Sequence, residues 1–207
     1  YMQAGLRVAI CEQVEDPKQA KGIVKRQVVE VATPGSAMSE QFLTAKESNY
    51  LVCVYAGNKE IGLSFLDVST GKFSVLELQP NQLRSFLAGL APREILLSED
   101  DSESESYLGR GKWLLTRVES WVFNTDFALS ELTKQFKTQG LKGFGMTGMK
   151  AGTSAAGAIL YYLQSYQGRD LKHVTGIQSL SADDWMTIDD DSLRNLELFR
   201  SLRGGDE

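Results

Sequence analysis

At 207 residues, with 42% apolar and 24% charged types, the chain has the make-up of an ordinary globular protein and enough length for one good core or two small ones. Its net charge of −5 argues against a dedicated nucleic-acid-binding module, whose surface is usually basic, and leaves room only for a local basic patch. No apolar run approaches the roughly 20 residues needed to cross a bilayer. The opening YMQAGLRVAICEQ lacks the charged, apolar and then small-residue order of an export signal. Tyr rather than Met stands first, and Arg203-Gly204-Gly205-Asp206-Glu207 follows what reads as a helix stop, so both ends read as cuts within a longer protein.

Arg7 to Cys11 is apolar and short, a buried-looking strand. Glu12 to Gly22 is polar, with Asp16-Pro17 opening a turn or short helix as an N-cap and first-turn proline do. Val24 to Val31 returns to strand character and ends at Thr33-Pro34-Gly35, because proline cannot donate to a ladder. Ser36 to Ser48 is a polar connection and a boundary.

The stretch from Tyr50 to Leu78 holds three apolar runs separated by two turns, an antiparallel meander around which the rest is arranged. Leu51-Val52-Cys53-Val54-Tyr55 has the β-branched and aromatic types of a pleated sheet. Ile61, Leu63 and Phe65 alternate with Gly62, Ser64 and Leu66, giving an apolar face and a mixed one. Asp67 to Gly71 makes the second turn, where Gly71 can take a positive φ without a Cβ clash. Phe73 and Val75 continue on the third strand.

Asn81 to Leu90 has helical spacing of Leu83, Phe86, Leu87 and Leu90, and Glu94 to Leu97, apolar from Ile95 on, is a short strand of the parallel, buried kind. Glu99 to Glu105 reads as a solvated acidic loop, since like charges so close repel. Lys112 to Thr116 is a further strand, Thr125 to Lys137 a helix, Leu141 to Thr153 a glycine-rich loop, and Ser154 to Gln167 a well-buried helix. Trp185 to Ile188 is a brief strand and Asp191 to Arg203 a last helix. This order predicts an α/β fold with an RNase H-like mixed sheet: a three-strand antiparallel meander plus parallel strands, flanked by helices, with partial domains at both ends.

Arg7-Val8-Ala9-Ile10-Cys11-Glu12-Gln13, Asp16-Pro17, Lys21-Gly22, Val24-Lys25-Arg26, Val28-Val29 and Thr33-Pro34-Gly35 stand together in a pattern that resembles the MutS family of DNA mismatch-repair proteins. The resemblance continues through Gly62 to Gly71, Ala155-Ala156-Gly157-Ala158 and Arg194-Asn195-Leu196-Glu197-Leu198, in family order. It implies that residues 1–38 end the mismatch-recognition domain, 44–172 form the connector domain, RNase H-like in the family, and 173–207 begin the core or lever domain. The implied partners are mismatched duplex DNA and a second MutS subunit, through the whole protein, and MutL, which in the family docks on the connector's exposed face. By the same resemblance the Phe-x-Glu reading head lies before Tyr1, and the ATPase with its ATP and magnesium lies after Glu207. The stretch is expected to be cytoplasmic, to touch no membrane, to hold no cofactor or metal of its own and to catalyse nothing.

Several residues invite a chemical reading. Lys18, Lys21, Lys25 and Arg26 form a basic cluster. It suits phosphate contact, or else a solvated edge balanced by Glu12, Glu15, Asp16 and Glu30. Lys21, Lys25 and Arg26 are the candidates for proximity to the DNA backbone, and the resemblance favours Lys25 and Arg26. Gly143 to Gly148 fits G-x-G-x-x-G formally, but no strand precedes it and Met149 breaks the register a P-loop lysine needs, so it reads as a flexible connection. A metal-dependent RNase H-like nuclease is the alternative from another class. It requires carboxylates on the first strand and first helix, and Leu51 to Ala56 and Asn81 to Leu90 have none. Asp67 is expected to organise its own turn. His173, the single histidine, is expected at a surface or turn, and Cys11 and Cys53 as two buried thiols.

Overall fold

The computed structural model describes residues 8–13, 24, 26–36, 49–109, 111, 113–168 and 170–181. The hairpin strands β1 (Val8–Gln13) and β2 (Arg26–Ala32) pair antiparallel, with an irregularity at Ile10/Cys11, and form a two-stranded sheet of their own. Cys11 is exposed there, so only Cys53 of the two expected buried thiols is buried. Burial pushes the Cys53 thiol well up, and the nearby Asp101 carboxylate adds to it. A short 3-10 turn, Pro34–Ser36, follows β2 where Thr33-Pro34-Gly35 predicted the strand's end.

The meander forms as read: β3 (Tyr50–Ala56), β4 (Ile61–Asp67) and β5 (Lys72–Leu78), paired antiparallel in sequence order. Helix α1 (Pro80–Leu90) crosses over to β6 (Glu94–Ser98), which lies parallel to β3. Helix α2 (Ser102–Leu108) leads to β7 (Leu114–Val118), parallel to β6. Helix α3 (Thr125–Phe136), helix α4 (Lys150–Tyr161) and a π-helical turn, Tyr162–Tyr166, follow. A two-residue strand, β8 (Gln178–Ser179), adds parallel to β5, closing a six-stranded mixed sheet in the order β7-β6-β3-β4-β5-β8.

The period-2 geometry of a strand sends alternate residues to opposite faces, and both faces are covered. Leu51, Cys53, Val75 and Leu96 pack with Phe123, Leu132, Ala155 and Ile159 on one side. Val52, Val54, Leu63, Leu76 and Ile95 pack with Leu83, Leu87 and Leu108 on the other. Every residue of β4 is therefore buried, including the face expected to be mixed. Gly62 is where α4 lies directly on the sheet: a Cβ there would stand 2.1 Å from the Ala151 carbonyl carbon.

Other expectations shift. The acidic run is partly helix: Asp101 caps α2, its Oδ1 accepting the Ser104 N–H at 2.8 Å, while its Oδ2 accepts the Ala56 N–H at 3.1 Å and ties the helix to β3. The strand placed at 112–116 runs at 114–118, because parallel pairing sets Leu114 opposite Glu94 and Val118 opposite Ser98. The helix expected from Thr125 is capped by Asn124 just before it, whose Oδ1 accepts the N–H groups of Asp126 and Phe127. Helix α4 starts at Lys150 rather than Ser154, and β8 lies where no strand was expected. The strand at 185–188 and the helix at 191–203 fall outside the described residues.

Candidate functional site

Two places combine polar chemistry with a shape that suits contact, and the π-helical turn Tyr162–Tyr166 serves both. The first is buried. Glu94, at the start of β6, has no solvent exposure. Its Oε1 accepts the Thr116 hydroxyl at 2.7 Å and the Tyr162 hydroxyl at 2.8 Å, and its Oε2 accepts the Gly35 N–H at 3.3 Å. A buried carboxylate is tolerated only when such donors replace water. The turn above it is buried as well, with Thr33 and Ser36 fully enclosed, and Gln167 donates to Thr33 Oγ1 at 3.1 Å. Gly35 has no room for a side chain: a Cβ would lie 2.5 Å from Glu94 Cβ and 3.2 Å from Leu51 Cδ1.

The second place is open. Trp121 is 52% exposed, Tyr166 43% and Leu129 39%, the large apolar side chains left most accessible among the described residues. Trp121 stands edge-on to Phe127 at 5.0 Å and to Tyr161 at 5.1 Å, and Tyr161 meets Tyr166 at 5.9 Å. These are favourable edge-to-face geometries that hold the rings rigid while one side stays wet. Carboxylates rim the cluster: the Tyr166 hydroxyl donates to Glu119, and Glu99 and Asp100 accept from the backbone and hydroxyl of Ser120. The Tyr166 bond lowers the Glu119 carboxyl from its ordinary range, and burial, with Glu119 behind it, raises the Tyr166 phenol.

The family model for MutS domain II matches residues 49–175, and that for MutS domain I matches residues 1–41. The chain belongs to the MutS family. It is 43% identical over 201 residues to the DNA mismatch repair protein MutS of Flavobacterium johnsoniae, covering 97% of this chain and 23% of that protein. It is 41% identical over 208 residues to that of Salinibacter ruber, covering 98% and 23%. The chain thus spans about a quarter of the length of the curated MutS relatives it matches. Among solved structures, the nuclease domain of the large terminase subunit gp2 of bacterial virus Sf6 aligns with a TM-score of 0.32 and 8% identity, covering 72% of this chain and 69% of that one. A likeness of that size carries no argument.

Of the residues singled out in this MutS chain, Lys21 and Lys25 lie outside the described residues, and Arg26 is exposed at the first position of β2, opposite Gln13. Asp67, Glu94 and Glu99, the acids on or beside β4 and β6, are separately engaged. Asp67 Oδ1 accepts the N–H and hydroxyl of Ser69 at 3.0 and 2.6 Å, organising its own turn as expected, with Gly71 at φ +74°. Glu94 sits under the Thr33–Ser36 turn, and Glu99 accepts the Ser120 N–H at 3.3 Å. No group of three or more potential metal ligands comes together among the described residues. His173 lies in a turn with Nε2 2.8 Å from the Val68 carbonyl oxygen. The glycine-rich segment holds a short 3-10 turn, Lys142–Phe144, closed by Gly145 in the left-handed region. No helix among the described residues is long and apolar enough to cross a membrane.

Sequence reasoning found neither the Glu94 junction nor the aromatic face. A glutamate opening an otherwise apolar strand, Glu94-Ile95-Leu96-Leu97, was the available sign of the first: a charge there is enclosed once the strand is central, and must find donors. Trp121-Val122-Phe123 offered little sign of the second, because the pattern does not say which ring stays outside.

Proposed function

We propose that this MutS segment is a connector: residues 44–172 join the end of a mismatch-recognition domain, residues 1–38, to the start of a core or lever domain, residues 173–207, and relay conformational change between them. The meander with β6 and β7 added in parallel on the β3 side supports an RNase H-like reading of the connector. The segment itself catalyses nothing. Mismatched duplex DNA, a second MutS subunit and the ATP with its magnesium are bound by the longer protein, in the cytoplasm, with Lys21, Lys25 and Arg26 near the DNA backbone.

The connector also docks MutL. The observation that carries this is the face of Trp121 and Tyr166: exposed, joined edge to face through Phe127 and Tyr161 and rimmed by carboxylates, it has the aromatic anchors from which protein interfaces draw most of their affinity. Amide exchange of this chain with and without the MutL N-terminal domain tests it. Slowed exchange across residues 119–131 and 161–167 is expected. Slowing confined to residues 8–36 would overturn the docking reading.

A further inference from the structure

The boundary between the two family-matched segments has an unusual division of hydrogen bonds. The turn is bonded within itself: the Thr33 N–H donates to Ser36 Oγ at 3.1 Å, the Ser36 N–H donates to the Thr33 carbonyl at 3.1 Å, and the two hydroxyls lie 2.8 Å apart. Such a turn keeps its shape without the surface it rests on. On the connector's side, Thr116 from β7 and Tyr162 from the π-helical turn hold Glu94 Oε1 at 2.7 and 2.8 Å, with no atom of the turn taking part in either bond. Only two bonds cross, Gly35 N to Glu94 Oε2 at 3.3 Å and Gln167 Nε2 to Thr33 Oγ1 at 3.1 Å, and the Thr33–Ser36 bonds within the turn do not depend on them.

We propose that the Thr33–Ser36 turn and the Glu94 socket form a plug-and-socket joint, in which the turn leaves the connector without unfolding it. Each half retains its own hydrogen bonds on separation, so the opening costs less than breaking the sheet, and it belongs with local rather than global unfolding. Gly35 is the residue that makes seating possible, because only a residue without Cβ lets the backbone N–H approach Glu94 over Leu51. Seated, the turn fixes the β1–β2 hairpin relative to β3 and β6; unseated, the hairpin is free to swing. Glu94 is thus a positioning residue for the hairpin. The inference uses only the two matched segments and holds whatever the aromatic face binds.

Residue-resolved amide exchange on the whole 207-residue chain tests it. In the parent, the amide of residue 35, which bonds across the joint, is expected to exchange about tenfold or more faster than the central amides of β4, which open only with the whole domain. In Gly35→Ala it exchanges faster again, by about tenfold or more, while β4 is unchanged. Thr33→Val, which removes the hydroxyl shared by Ser36 and Gln167 and adds no bulk at the socket, is expected to act in the same direction. Equal protection of residue 35 with β4 in the parent would overturn the joint. So would exchange that rises in β4 as much as in the turn, or that both substitutions leave unchanged.

Discussion

Tyr162 and Tyr166 stand one turn apart on the same π-helical segment, their ring centroids 5.8 Å from each other, and each gives its hydroxyl to a carboxylate. Tyr162 meets Glu94 in the fully enclosed junction; Tyr166 meets Glu119 at the exposed aromatic face. The chemistry is the same and its surroundings are not. Where water is excluded, each missing partner is an unpaid desolvation cost, so the bond is structural. Where water is present, the same bond is replaceable, and the groups remain available to a partner. The wide turn of a π segment, frequent at functional places, lets one stretch of chain serve both.

The contrast is broken most directly by deleting the two acids. Glu94→Ala leaves the hydroxyls of Thr116 and Tyr162 and the Gly35 N–H without their acceptor, and a loss of about 3 kcal/mol is expected from urea unfolding. Glu119→Ala should change the same measurement by less than about 0.5 kcal/mol, as surface substitutions do. The two phenols sharpen the comparison at smaller scale: Tyr162→Phe is expected to cost about 1 kcal/mol, and Tyr166→Phe to lie within the error of the method.

A third carboxylate falls between the extremes. Glu77 is half-buried on β5, accepts the Gly152 N–H at 2.8 Å and is held above the ordinary glutamate range, mainly by burial and in part by Glu60. A raised folded pKa means the native state keeps the proton at a pH where the unfolded chain has released it. Stability therefore falls as pH climbs from the ordinary glutamate range through the raised value, and levels off above it. Glu77→Gln, which keeps an oxygen for Gly152, should flatten that segment of the pH–stability curve in urea unfolding at pH 4 to 8. The smallest effect is at the open pair. In Tyr166→Phe the Glu119 carboxyl should move upward toward the ordinary range in an NMR titration, since the phenol is the main group that lowers it.

How much of this was legible in the sequence follows the range of the interactions. The meander, α1 and β6 were readable because their apolar spacing and turn residues are local, and Asp67 announced its own turn. The start of α4 was not. Its N-terminal amides are met by Glu77 from β5, 75 positions away, and no residue near Lys150 signals that cap. β8 has two residues and exists only because β5 offers an edge. Asp101 with Ser104 was a local cap signal, hidden by the acidic run around it. The Glu94 junction joins residues 33–36, 94, 116, 162 and 167, a grouping made by topology alone.

Whether the open face is the docking surface and the closed junction is not is decided by one titration. The chain and its Trp121→Ala variant are each titrated with the MutL N-terminal domain by calorimetry, at low and moderate salt. Saturable binding by the parent is expected, weakened about tenfold or more in the variant while the variant remains cooperatively folded at the titration temperature. Absence of binding at either salt, or equal affinity for both proteins, would contradict docking at the open face.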